Sequence, residues 1–209
     1  PQSAPGKLAA VAHLFGLQPP PATTARVLEI GCAAGGNLLP FAATHPDADV
    51  VGIDLSEVQI GHGRARAEAL GIGNLRLIAA DIAQIDLAAL GRFDYVIAHG
   101  VYSWVPDDIA EAVLAAMRTV LAPDGIGYLS YNVYPGWKTK EVVRDAMLLA
   151  SGAAQTPDEK VRLARGMVDF LQDVVPANRV LATVLADWRT ADAGFSDSYL
   201  LHDELETFN

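Results

Sequence analysis

The stretch Val27–Asn37, reading Val-Leu-Glu-Ile-Gly-Cys-Ala-Ala-Gly-Gly-Asn, restricts this chain more than any other. Its first four residues form an apolar run carrying one acid, suited to a buried strand. A glycine-rich turn follows at once, and Leu38, Leu39, Phe41 and Ala42 then repeat at helical spacing. Strand, turn and helix in that order set backbone N–H groups, and the positive end of a helix, at the carboxyl edge of a parallel sheet. At Gly31 and Gly35 a nucleotide-like ligand can approach the main chain with no Cβ in the way. A cofactor is expected there.

The following chain repeats the pattern. Val50–Asp54 reads as a second strand ending on a carboxylate, and Ser56 with Gln59 opens a helix that stops at Gly71. Gly61 and Gly63 inside that helix each cost about 1 kcal/mol relative to alanine. Asn74–Ala79 and Asp94–Ala98 are the third and fourth strands, with a weak helical pattern (Ile85, Leu87, Leu90) between them. Asp107–Leu121 carries a clear apolar stripe, Ala122-Pro123-Asp124-Gly125 is expected to turn, and Ile126–Tyr131 is the fifth strand. Regular alternation of strand and helix predicts an α/β fold with a doubly wound, mostly parallel sheet. After Trp137 the pattern is helical throughout, over 139–150, 157–175, 178–189 and 198–208. The expected organisation is a core at 1–137 and a helical cover at 138–209, acting as a lid, an acceptor contact or an oligomer contact. The first residue is not Met, and the chain stops at Phe208-Asn209 without a closing turn, so a longer native protein is expected.

Composition narrows the function. Of 209 residues, 51% are hydrophobic and 19% charged, which supports a large core rather than disorder. A formal charge of −10 argues against nucleic acid as a partner. One cysteine, Cys32, excludes an internal disulfide and fits a reducing, cytoplasmic setting. No apolar stretch reaches membrane-spanning length. His13, His45, His62 and His202 show no metal-ligand spacing, so no metal is expected.

Three features fall in order at predicted strand ends: the glycine turn, Asp54 and Asp81. An acid about twenty positions past such a turn is placed to bind ribose hydroxyls. That spacing serves a nicotinamide dinucleotide or S-adenosylmethionine equally. A dinucleotide fingerprint calls for a second glycine where Ala33 stands, and close pyrophosphate approach would be hindered there. The pattern acid-x-G-x-G-x-G matches Glu29, Gly31 and Gly35 with Ala33 again the exception, and a sulfonium cofactor has no pyrophosphate to accommodate. Asp81 suits a hydrogen bond to an adenine amino group.

At this point the sequence resembles the class I, Rossmann-like S-adenosylmethionine-dependent methyltransferases. More narrowly, it is similar to a bacterial subgroup that carries a C-terminal methyltransferase regulatory domain. The resemblance rests on Pro1-Gln2-Ser3, Leu14-Phe15-Gly16-Leu17, Gly31-Cys32-Ala33 with Gly35-Gly36-Asn37-Leu38, and Gly52-Ile53-Asp54-Leu55-Ser56. It rests above all on Ala98-His99-Gly100-Val101-Tyr102-Ser103-Trp104-Val105-Pro106 and Ser130-Tyr131-Asn132-Val133-Tyr134-Pro135-Gly136-Trp137. It implies main chain at Gly31–Gly35 against the methionine portion, Asp54 at the ribose, and Asp81 with Ile82 at the adenine. The candidate cofactor set is therefore Glu29, Gly31, Cys32, Ala33, Gly35 and Asn37 from the turn. Asp54, Leu55, Gln59, Asp81, Ile82 and His99 complete it. Some members of the subgroup are similar to protein-lysine methyltransferases acting on bacterial surface proteins. The family's sheet carries two more strands after the fifth, and this chain is expected to end before them.

Methyl transfer to an N or O nucleophile requires alignment and loss of a proton. His99, at the end of the fourth strand, is the general-base candidate, and a plain hydrogen-bonding role is its alternative. Tyr102, Trp104, Tyr131 and Tyr134 are candidates to wall a cationic amine, or ordinary packing. Asn132 either orients the nucleophile or caps a turn. Cys32 reads as buried packing rather than a nucleophile. The expected partners are S-adenosylmethionine and a small-molecule or protein acceptor, with a homodimer as the candidate assembly. The rival functions are a non-catalytic sensor of S-adenosylmethionine and a nicotinamide-dependent oxidoreductase.

Overall fold

Strands that are apolar without alternation must be covered on both faces, and a parallel sheet clad with helices does this. The computed structural model describes residues 2–205. Five strands form its sheet: β1 (Arg26–Ile30), β2 (Asp49–Asp54), β3 (Leu75–Ala79), β4 (Phe93–Ala98) and β5 (Leu121–Leu129). All neighbours pair in parallel, in the order β3-β2-β1-β4-β5. On one face Val27, Val50, Tyr95 and Ile97 pack with Leu8 of α1 (Pro5–Leu14), Leu38 of α2 (Leu38–Thr44) and Ile60 of α3 (Glu57–Ala69). On the other, Leu28, Ile30, Val51, Ile53 and Val96 meet Val113, Ala116 and Val120 of α4 (Asp107–Val120).

The chain order reverses at β1, which has β2 on one side and β4 on the other. The carboxyl ends of β1 and β4 therefore splay into the crevice that such sheets use for ligands. The glycine turn leaves β1 at this point.

The structure explains one of the two glycines that weaken α3 and leaves the other without a packing role. Gly61 is exposed, and a Cβ added to it would meet no atom within 4 Å, so alanine there is expected to add about 0.5–1 kcal/mol. A Cβ on Gly63 would lie 2.5 Å from Leu77 Cδ1 and 2.8 Å from the Ala34 carbonyl oxygen. The second contact is backbone of the glycine turn and does not yield cheaply. Gly63→Ala is expected to cost about 1–3 kcal/mol, so urea midpoints of the two variants should move in opposite directions.

The chain divides after Tyr131 into two compact units. In the second, α5 (Lys138–Ser151), α6 (Pro157–Val174) and α7 (Val180–Asp192) enclose Val143, Met147, Val161, Ala164, Val168 and Leu185. Thr156 caps α6 by accepting from the Glu159 amide, and the Glu159 carboxylate answers by accepting from the Gln155 amide at 2.9 Å. Among the described residues no helix is long and apolar enough to cross a membrane.

Three expectations are corrected. Residues 122–125 do not form a separate turn: β5 starts at Leu121, pairs with Phe93, and resumes at Ile126 opposite Tyr95. The four intervening residues are taken up as an irregularity, as fits Pro123, which has no N–H to give the ladder. The helix foreseen around Ile85–Leu90 is a single 3₁₀ turn, Ala88–Leu90. The helix foreseen over 198–208 is a short turn, Asp197–Tyr199, continued by a π turn, Leu200–Glu204. Its last residues, 206–208, lie outside the described residues.

Candidate active site

At the carboxyl edge of the sheet lies a cavity of about 360 Å³. Its floor is Ile30, Gly31 and Ile53, and its far wall is the segment after β4, Gly100, Val101 and Trp104–Pro106, with Ile109 and Val113 of α4. Asp54 and Asp81 stand on its rim with Leu55, Ala80 and Ile82. The lining is thus apolar with two carboxylates at the ends of neighbouring strands. Leu55 is 77% exposed, an apolar side chain held at the mouth with nothing covering it.

The glycine turn is built around Asp54. One carboxylate oxygen accepts the Ala33 amide at 2.7 Å and the other accepts the Ser56 amide at 2.8 Å. Gly31 and Gly35 have φ of 72° and 73°, and Ala33 adopts 46°, a left-handed conformation that side chains resist. Asp54 thus clamps the end of β2 to the turn after β1, with lone pairs remaining for a diol. The freedom at Gly31 serves packing as well: a Cβ there would lie 2.3 Å from Val101 Cγ2, so the cavity wall rests on this glycine.

Asp81 accepts the Ala83 amide at 2.9 Å and the Gln84 side-chain amide at 2.7 Å. Gln84 was not foreseen; its place three residues after a strand-end acid was the available signal.

Glu29 is the unusual group. It lies on β1 and is 4% exposed. One oxygen accepts from Asn37 Nδ2 at 3.0 Å, and the other is buried with no hydrogen-bond partner. Burial pushes its carboxyl from 4.5 up to about 7, against the lowering effect of the Asn37 bond. Asn37 also donates to the fully buried Ser3 Oγ at 3.2 Å, which turns it away from capping α2. Burial, then Asp54 and Glu29, push the Cys32 thiol up to about 12, so it is packing and not a nucleophile.

Of the expected cofactor residues, Gly31, Asp54, Leu55, Asp81 and Ile82 line the cavity. Glu29, Cys32, Ala33, Gly35, Asn37, Gln59 and His99 do not line it. Gln59 gives its backbone N–H to Ser56 Oγ, as a helix start, and its side chain is exposed. His99 is exposed at the end of β4, with Nδ1 3.0 Å from Ser130 Oγ and its ring 5.7 Å from that of Tyr128. Tyr102 meets Tyr131 edge-on at 6.1 Å. Asn132 and Tyr134 belong to the second unit. There the Tyr134 hydroxyl donates to Glu141 at 2.6 Å, and the Lys138 ammonium sits 4.3 Å from its ring centre. Among the described residues no cluster of His, Cys, Asp and Glu could hold a metal.

A doubly wound parallel sheet with an apolar crevice at its reversal point, and acids closing two successive strands, defines an α/β domain for a nucleoside cofactor. Residues 27–125 match the family described as "Methyltransferase domain". The chain is 36% identical over 206 residues to the uncharacterized protein RP028 of Rickettsia prowazekii (strain Madrid E), covering 98% of this chain and 82% of that one. The solved structure of PKMT2 from Rickettsia typhi in complex with AdoHcy superposes with a TM-score of 0.83 at 37% identity. That match covers 99% of this chain and 40% of PKMT2. RP789 of R. prowazekii is 37% identical over 209 residues, and the chain spans 37% of its length. The chain belongs to the S-adenosylmethionine-dependent methyltransferases, of the class I, Rossmann-like fold.

The residues fit that family's cofactor. The apolar cavity suits an adenosine, and Asp54 and Asp81 supply acceptors at its rim; outside the lining, one buried oxygen of Glu29 has no hydrogen-bond donor.

Proposed function

We propose that this domain methylates lysine side chains of a protein acceptor. The observation that carries the reading is the cavity closed by Asp54 and Asp81 in a chain 37% identical, over 99% of its length, to PKMT2, a protein lysine methyltransferase. Asp54 would hold the ribose, Asp81 the adenine amino group, and Leu55 with Ile82 the faces of the base. Main chain from Gly31 to Gly35, with Cys32 and Ala33, would carry the methionine portion. Glu29, held by Asn37, would take its ammonium; Gln59 and His99 would border the site.

The bound cofactor supplies a methyl group on a positively charged sulfur. The protein contributes alignment and a dry wall, here Trp104 to Pro106 and Val113, and alignment alone is worth roughly 7–11 kcal/mol. His99 is assigned to the acceptor amine as a hydrogen-bonding group. Tyr102, beside Tyr131, would present an aromatic face to a cationic side chain.

Residues 1–137 are read as the cofactor core and 138–209 as the segment that meets the acceptor or a second copy. The charge of −10 favours a lysine-bearing acceptor over nucleic acid, and the single cysteine fits the cytoplasm. The test is incubation with methyl-labelled S-adenosylmethionine and a panel of bacterial cell-envelope proteins, followed by peptide mass spectrometry. Label on lysine ε-amines is expected. Label on hydroxyl or carboxyl groups would replace the acceptor. Calorimetric binding with no label on any protein would favour a sensor.

A further inference from the structure

The end of β4 is held by one side chain. Ser130 continues β5 by donating its amide to the Ala98 carbonyl at 3.1 Å, and its hydroxyl then reaches back across β4. There Ser130 Oγ accepts the Gly100 amide at 2.9 Å and lies 3.0 Å from His99 Nδ1. Two consecutive residues are fixed by a single oxygen. Gly100 has φ of 69° and lines the cavity beside Val101, so the same oxygen also anchors the cavity wall.

The polarity of the His99 contact follows from counting protons. A serine hydroxyl has one proton to give and two lone pairs to accept with. The Gly100 amide can only donate, so it takes one lone pair. No further hydrogen bond of Ser130 Oγ is formed with the described residues, and among them His99 Nδ1 is the one protein acceptor within reach of the hydroxyl proton. The reverse arrangement, with Nδ1–H donating, would leave the proton of this half-buried hydroxyl with no protein acceptor. In a histidine, the bond made by one ring nitrogen sets the state of the other.

We propose that Ser130 is a positioning residue whose hydroxyl donates to His99 Nδ1 and fixes the neutral imidazole with its proton on Nε2. His99 then offers the acceptor a hydrogen-bond donor and not a base. This choice deepens the reading of His99 given above, and an acceptor amine must lose its proton to solvent before transfer.

The experiment reads the ring nitrogens directly. Side-chain ¹⁵N spectra of the cofactor-free protein, above the histidine titration range, are recorded for the parent chain, Ser130→Ala and Ser130→Thr. His99→Gln identifies the His99 signals among those of five histidines. The parent and Ser130→Thr are expected to show a pyridine-type Nδ1 and a pyrrole-type Nε2. In Ser130→Ala the ratio of the Nε2–H to the Nδ1–H form should fall about tenfold, the weight of one hydrogen bond. A pyrrole-type Nδ1 in the parent, or a Ser130→Ala pattern equal to the parent's, would overturn the proposal. Because no methyl transfer is measured, failure here is distinct from failure of the acceptor assignment.

Discussion

Replacing Asp54 by alanine is expected to raise the Kd for S-adenosylmethionine about a hundredfold, a loss of roughly 3 kcal/mol. The effect should exceed what one ribose contact provides. Asp54 accepts the Ala33 amide at 2.7 Å and the Ser56 amide at 2.8 Å, so its removal strands two N–H groups as well as the diol. Ala33 is held at φ of 46° by that contact, and release lets the turn relax toward ordinary backbone. Asp54→Asn is the sharper probe. An amide presents an acceptor to only one of the two N–H groups and sets its own donor against the other, so asparagine should recover little of the affinity. Calorimetric titration of both variants checks this. Affinity of Asp54→Asn within threefold of the parent would mean that the backbone bonds do not carry the site.

The fold was legible because its signals are local. Apolar strands at Val27–Ile30 and Val50–Asp54 and the capping residue Ser56 act over a few residues, and the structure keeps them. The carboxylates of Asp54 and Asp81 were legible for a related reason, since a strand end is a fixed place relative to a parallel sheet. What escaped depends on contacts far apart in the chain. Nothing near Gly63 in sequence says that it presses on Ala34, and nothing near Ser130 says that it binds His99 and Gly100. Residues 122–125 carry strong turn chemistry, Pro-Asp-Gly, yet pairing of Leu121 with Phe93 draws them into a strand. Val101, Val105 and Pro106 of the cavity wall stand inside a string marked by its aromatics, where ordinary aliphatic residues give no sign of lining a cavity.

Glu29→Gln should make the free protein more stable at pH 8 and leave it unchanged near pH 4. The Glu29 carboxyl is raised from 4.5 to about 7 because β1 buries it, with Asn37 its one hydrogen-bond donor. A raised acid binds its proton more tightly folded than unfolded. Its contribution is therefore favourable and complete below the unfolded value, declines as pH rises from 4.5 to about 7, and stays lost above. The shift corresponds to roughly 3 kcal/mol, the gain expected for glutamine at pH 8. The difference between parent and variant in urea stability should thus open across that interval and then level off. Cofactor is expected to reverse the ranking. In the proposed site an ammonium beside the orphaned oxygen would favour the carboxylate, so binding near pH 7 should release about half a proton, read from calorimetry in buffers of different ionisation enthalpy. Glu29→Gln should abolish that release and weaken binding, so the substitution that stabilises the empty protein is the one that impairs the loaded one. Proton release unchanged in the variant would remove Glu29 from the cofactor site while leaving its effect on stability intact.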